Sequence, residues 1–338
     1  MTRANLEYRS IRDGAAVIDL SGSGKLRLSG ENAVQFLNGL VSNDVKSLVP
    51  GAGTLVAFPN LQGKLMALAR IYRDPDSLLL EVDGINREKI FRNLSRFIPA
   101  GEFFVEDQSD DLVLLGVEGP EAGRVVSALG VTLTGSHEYS HEQVVIDGVG
   151  VRVAVHRRCG LPGFDLFIPR KDAETVRERL LAAGALAVGA EAFEVARIEA
   201  GVPREGVDAG EEYIILETGL GDAVSFTKGC YLGQEVIARI HWRGQPARQL
   251  RGLLLEKPLT ELAEIELRAV DGALAGRRVG NVTSATVSPT LGKPIALGYV
   301  HRHYLNPGTA LSVWRGEICL GESWVTDLPF VPGEIQPA

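Results

Sequence analysis

Hydrophobic and polar positions change rhythm along the chain, and each change marks a unit of organisation. Residues 25–28 alternate polar and apolar as a half-buried strand does, and residues 33–40 place Val34 with Leu37 and Phe36 with Leu40 at helical spacings. Apolar runs at 54–58 and 65–72 flank Pro59, Asn60, Leu61, Gln62 and Gly63, which predicts a hairpin with a longer loop. A strand at 78–82 follows, then a helix over 85–98 with Ile90, Phe91, Leu94, Phe97 and Ile98 as its core stripe, ended by Pro99 and Gly101.

The order partly recurs. Strands at 103–105 and 112–117, a short helix at 121–129 closed by Gly130, strands at 151–155 and 164–168, and a helix at 173–183 between an Asp172 N-cap and a Gly184 C-cap make a second α+β half. A further helix covers 191–201. From Arg248 the texture shifts to short apolar runs at 250–255, 279–282, 295–300, 310–314 and 318–325, separated by Gly, Pro and Asn, which predicts a small β-barrel. Gly244 and Pro246 interrupt the chain before it. The expected division is an α+β module over 1–243, a barrel over 244–330 and a tail over 331–338, with the chain mobile from Pro329 onward.

Composition narrows the function classes. At 338 residues and 45% hydrophobic, the chain can bury more than one core. No apolar run approaches a membrane span and residues 1–10 hold no apolar signal core, so a cytoplasmic protein without membrane contact is expected. A formal charge of −8 argues against broad nucleic-acid binding. Its three cysteines are too scattered for a disulfide framework. A monomer is expected.

Candidate chemistry concentrates at 227–235, where Lys228, Gly229, Cys230, Gly233, Gln234 and Glu235 fall within eight residues. Leu232, Val236, Ile237 and Ile240 have helical spacing, which puts the thiol at a helix start, where unpaired N–H groups and Lys228 would favour thiolate and an anionic ligand. Gly229 and Gly233 permit close backbone approach. A buried, inert cysteine fits the same residues. Arg239, His241, Arg243, Arg248 and Arg251 cluster just after, either as a solvated face or as a site for a polyanionic tail such as the glutamates of a folate.

The segment 228–235, KGCYLGQE, resembles the signature of the YgfZ family, folate-binding relatives of the glycine-cleavage T-protein (aminomethyltransferase) linked to iron–sulfur protein maintenance. The flanks agree: 217–220 and 196–203 resemble that family's EAGL and RIEAGxP segments, and 280–284 its GxVTS turn. The resemblance implies that the two α+β halves interleave around a central folate hole. It implies that Arg197 faces the pterin, and that Asp165, one methylene shorter than the T-protein glutamate, accepts from the pterin's donor edge. The expected folate-binding set is Arg197, Asp165, Glu217, Gln62, Lys228, Gly229, Gly233 and Gln234, with Cys230 as candidate catalytic thiol supported by Lys228. No metal site is expected. The T-protein acid pair is replaced by Ala67 and Leu68, which cannot handle a proton.

These readings converge on a tetrahydrofolate-binding accessory protein that assembles or repairs iron–sulfur enzymes, including tRNA-thiomethylating ones, with an exposed thiol at the mouth of the folate hollow. One motif cysteine cannot supply four thiolates, so an iron–sulfur cluster would be held only transiently. The alternatives are a folate-dependent aminomethyl or other one-carbon transferase drawing its acid from Asp44 or Asp165, and a non-catalytic folate-gated scaffold.

Overall fold

The structure is a computed structural model and describes residues 3–333. The chain opens with helix α1 (Arg3–Asp13) and strand β1 (Ala16–Asp19), neither of them expected from the hydrophobic pattern. Strand β2 (Gly24–Ser29) leads into α2 (Ala33–Leu40), the hairpin β3 (Gly53–Pro59) and β4 (Leu65–Arg73), then β5 (Ser77–Val82), α3 (Arg87–Ser95) and β6 (Phe104–Asp107). Helix α3 is shorter than predicted because 3₁₀ turns flank it at Gly84–Asn86 and Ile98–Ala100. The second round runs β7 (Leu112–Glu118), α4 (Ala122–Ser127), β8 (His141–Ile146), β9 (Val149–Val155), β10 (Gly163–Pro169), α5 (Ala173–Ala182), β11 (Leu186–Ala187) and α6 (Ala190–Glu199). Asp172 makes no side-chain cap to α5, whereas Gly184 beyond its end has the expected left-handed φ of 101°.

Two sheets share these strands. One has the order β3-β4-β5-β2-β6 and the other β11-β1-β7-β10-β9-β8. The chain therefore starts in the second sheet with β1, leaves to build the first, and returns. Strand β1 pairs antiparallel with β7 and parallel with β11, so the two α+β halves interleave as the resemblance implied.

Period-two alternation explains why the sheets face each other. Leu26, Leu28, Ala67, Ala69, Ile71, Leu78 and Leu80 point outward into a core with α2 and α3. Val113, Leu115, Val117, Val151, Val153, Leu166 and Ile168 do the same beneath α4 and α5. The intervening residues of each strand must then face the opposite sheet. Tyr72, Leu79, Leu114, Ala154 and Phe167 form a small apolar cluster in that gap. Flanking it are residues whose charge would suit a surface: Arg70 on β4, Glu81 on β5, Arg152 on β9 and Asp165 on β10.

Helix α7 (Gln234–Arg243) precedes the barrel, which closes through β12 (Arg248–Leu255), β13 (Ile265–Ala269), β14 (Arg278–Ser288), β15 (Lys293–His301), β16 (Ala310–Arg315) and β17 (Ile318–Thr326) in the order β12-β15-β14-β13-β16-β17. Leu253, Leu267, Val282, Ala296, Leu311 and Val325 fill it. The expected mobile tail is corrected up to Gly333. Phe330 and Val331 donate their backbone N–H groups to the Glu199 carbonyl, at 2.9 and 3.2 Å, and Leu328 and Phe330 pack on Tyr213 and Tyr299. Residues 334–338 of the tail lie outside the described residues. Among the described residues no helix is long and apolar enough to cross a membrane.

Candidate functional site

The motif loop is braced from three sides. Lys228 donates from Nζ to the carbonyls of Asn38, Val41 and Asn43 at 2.6, 2.8 and 2.8 Å, closing the C-terminal end of α2. Those carbonyls use all three of its N–H donors. Burial pushes the Lys228 ammonium down to about 8, against the opposing charge of Asp44. Its ammonium therefore staples the loop to α2, and the expected thiolate-supporting role is corrected. Leu232 donates its N–H to the Gly39 carbonyl. Gly233 caps α7 at φ 76°, and a Cβ there would stand 2.3 Å from the Asn60 carbonyl, so the hairpin tip carrying Gln62 closes directly on the motif.

Cys230 is exposed on this brace. It lies outside α7, three residues before the Gly233 cap, so the expectation that it opens the helix is corrected. Gly229 beside it borders open space. His241, the nearest candidate base by sequence, stacks on Phe226 with ring centroids 3.7 Å apart and makes no hydrogen bond to the thiol. Cys159, by contrast, is buried, and burial together with the charge of Glu118 pushes its thiol well up.

The remaining expected site residues occupy separate places, and none shares a hydrogen bond or ion pair with the motif loop among the described residues. Asp165 is fully buried in the gap between the sheets. Arg158 donates Nε to its Oδ1 at 2.8 Å and Nη2 to its Oδ2 at 2.7 Å, and Tyr72 adds its hydroxyl at 3.3 Å. Both oxygens are thus taken, and the free carboxylate expected for a pterin edge is corrected. Burial pushes Asp165 up and the Arg158 charge opposes that.

Arg70 extends the cluster, donating Nη1 to Glu81 at 2.6 Å and Nε to His156 Nε2 at 2.8 Å. Burial would raise Glu81, but the charges of Arg70 and Arg158 outweigh it and hold its carboxyl at about 2. Burial, with the charges of Arg158 and Arg70, holds His156 well below its ordinary value, so it is neutral and can accept from Arg70. Two guanidiniums and two carboxylates therefore pair with one another in this part of the gap between the sheets.

Arg197 is also corrected. Its Nε and Nη2 donate to Glu194, Nη1 to Asp208 and to the Val202 carbonyl, and Nη2 to Ser284 at 2.7 Å. All five N–H donors of the guanidinium are used within the protein. Asp208 in turn accepts from Thr283, Ser284 and the Arg204 N–H. Neighbouring residues on a regular strand point to opposite faces. A bulge in β14 between Val282 and Ser284 turns both hydroxyls to one carboxylate. The RIEAGxP and GxVTS segments are thus the joint between α6 and the barrel. Glu217 belongs to a similar joint, accepting through Oε2 from the Ile214 N–H and from Arg248 of β12.

One residue was missed by sequence reasoning. Glu205 leaves the loop after α6 and sets Oε1 2.8 Å from the Leu68 N–H and 2.6 Å from Asn86 Nδ2, while Oε2 makes no protein hydrogen bond among the described residues. Burial and the charge of Asp83 push its carboxyl up to about 8, although the Leu68 N–H opposes them. A lone acid in a loop carries no sequence signal for this placement.

Residues 2–228 match the GCVT N-terminal domain family, and residues 248–331 the glycine cleavage T-protein C-terminal barrel domain. An aminomethyltransferase of Deinococcus deserti is 32% identical, over 87% of this chain and 79% of its own length. A putative chloroplastic transferase of Arabidopsis thaliana is 29% identical over 96% of this chain and 73% of its own. The crystal structure of glycine cleavage system aminomethyltransferase T from Bartonella henselae superposes with a TM-score of 0.85 at 23% identity, covering 97% of this chain and 89% of that one, and shares the fold. With both the N-terminal module and the barrel matched, this chain belongs to the glycine cleavage T-protein (aminomethyltransferase) family.

Proposed function

We propose that this chain is a tetrahydrofolate-dependent one-carbon transferase of the aminomethyltransferase type, in which Glu205 takes the place of the acids absent at Ala67 and Leu68. The observation that carries this is the seat of Glu205 on the Leu68 N–H, at 2.8 Å, which brings a carboxyl from another element to the position the strand lacks. Because Oε1 already accepts two N–H groups, the proton of the neutral acid resides on Oε2, the oxygen free to meet a ligand. An acid titrating at about 8 keeps that proton at neutral pH and can give it up in a reaction. Tetrahydrofolate, when bound, supplies the nitrogens that carry the one-carbon unit.

Asp165 and Arg197 do not fit the roles the resemblance gives them, since their polar atoms face protein partners, and no step is assigned to them. Family membership and the free oxygen of Glu205 support the reading. The proposal keeps the division into a 1–243 module and a 244–330 barrel. Purified protein supplied with tetrahydrofolate and an aminomethyl donor should form methylene-tetrahydrofolate with release of ammonia, and Glu205→Gln should slow it at least tenfold. No turnover with any such donor would sink the proposal.

The exposed thiol favours a second reading, a tetrahydrofolate-binding accessory protein for iron–sulfur enzymes, including those that thiomethylate tRNA, with any cluster held only in passing. Exposure of Cys230 on a braced loop, with Gly229, Gln234 and the Gln62 hairpin around it, supports this. Cells whose only copy carries Cys230→Ala should lose iron–sulfur enzyme activity. Retained activity with both Cys230→Ser and Cys230→Ala would leave the loop as a docking element alone.

A further inference from the structure

Beyond the apolar cluster of Tyr72 and Phe167, on the side away from Arg158, the gap between the sheets opens into a cavity of about 270 Å³. Its walls carry two guanidiniums, from Arg27 and Arg152, against a single carboxylate, Asp74. Arg152 is 93% buried by accessible area, being 7% exposed. It donates Nη2 to Asp74, and Gln143, with its amide oxygen turned inward, accepts from Nε at 3.2 Å and Nη2 at 3.1 Å. Nη1 has no partner, although it is shut off from solvent. A buried guanidinium nitrogen with two unused N–H groups costs more than an ordinary missing hydrogen bond, because the group is charged. Arg27 does not relieve it. Its own Nη1 approaches exposed Glu106 only to 3.8 Å, and its charge repels that of Arg152 across the cavity.

We propose that this cavity is a binding site for a small oxyanion, a phosphate or a short-chain carboxylate, held by Arg152 Nη1 and Arg27. Its oxygens satisfy the orphaned N–H groups, and its charge balances the second guanidinium. Gln108 and Ser77 supply further polar groups on the wall, and Leu79 and Phe167 set the apolar side that limits the ligand's size. The site is independent of the transferase reading, since none of its residues touches Glu205 or the motif loop.

The full chain should be titrated calorimetrically with inorganic phosphate and, separately, with malonate, at ionic strength held constant with sodium chloride. The expected result is one saturable site per chain for at least one probe, and the stronger probe distinguishes phosphate from carboxylate as the natural chemistry. Arg27→Gln should weaken binding at least tenfold without unfolding the protein, because that side chain is half exposed. Gly150 lies on the same face of β9 as Arg152, and a Cβ there meets nothing within 4 Å, so Gly150→Leu should fill the cavity and abolish binding while the fold persists. Absence of saturable heat with either probe, or an unchanged affinity in either variant, overturns the assignment.

Discussion

Arg158 and Asp165 meet fork to fork in the gap between the two sheets, with parallel bonds of 2.8 and 2.7 Å. Arg158 also stands 3.5 Å from Glu81, so it links Asp165 to the Arg70–Glu81 pair. Arg158→Met keeps the length of the side chain and removes its charge, leaving Asp165 without a cation. We expect a loss of about 3–5 kcal/mol in chemical denaturation, the usual penalty for half a buried pair. Adding Asp165→Asn should recover part of it, and a single variant as stable as the parent would refute the pairing.

Arg197 predicts differently from a ligand-binding arginine. Lysine in its place offers three donors to five acceptors and strands Asp208, so Arg197→Lys should cost about 2–4 kcal/mol by the unpaired-charge argument. Thermal melting with separate probes of the barrel and of the α+β module would show it, the barrel loosening first. Unchanged melting with altered ligand affinity would return Arg197 to the site.

The two motif glycines make a controlled pair. Gly233→Ala combines a left-handed backbone with a Cβ 2.3 Å from the Asn60 carbonyl, and should cost about 1–3 kcal/mol or displace the hairpin tip. Gly229→Ala meets nothing within 4 Å and should be close to neutral. Hydrogen exchange across residues 59–64 would read the difference.

Glu205 sets a pH signature. Its folded value of about 8 lies above the ordinary 4.5 of a glutamate, so the native state holds the proton that the unfolded chain releases. Stability contributed by this group is fully present below about pH 4.5 and is lost as pH rises toward 8. Glu205→Gln should flatten that slope and raise stability at pH 9 by about 2 kcal/mol, a figure kept below the full linkage value because the side chain is partly exposed. An identical pH profile in urea melts of both proteins would remove the buried acid.

Thiol accessibility separates the three cysteines. In the native protein Cys230 and Cys319 should react with a maleimide, and Cys159 only after unfolding. Mass spectrometry of the labelled peptides decides it.

The strands of the first sheet, helices α5 and α6 and the barrel texture were legible because period and punctuation are local properties of the chain. The interleaving was not. It depends on four-residue β1 joining two-residue β11 some 170 positions away, and such short pieces carry no periodic signal. Arg70 and Glu81 carry no signal of their place in the alternation of their strands, since only the opposing sheet, invisible in sequence, turns them and Asp165 inward. Leu232 misled the helix start: its spacing fits Val236, but the left-handed Gly233 between them holds it outside the helix, partly exposed. A motif marks positions and not the partners that satisfy them, and among the partners of Arg197 and Asp165 are Ser284 and Tyr72, on elements distant in sequence.

Glu199 is where the chain closes on itself. Tyr8 of the first helix donates to its carboxylate at 2.6 Å, while Phe330 and Val331 hang from its backbone carbonyl. Tyr8, near the start of the described residues, and Phe330, near their close, therefore meet at one glutamate. Joining residue 333 to residue 3 through a glycine linker and reopening the chain at the exposed Asp147–Gly148 hairpin tip should yield a circular permutant that still assembles both sheets and the barrel.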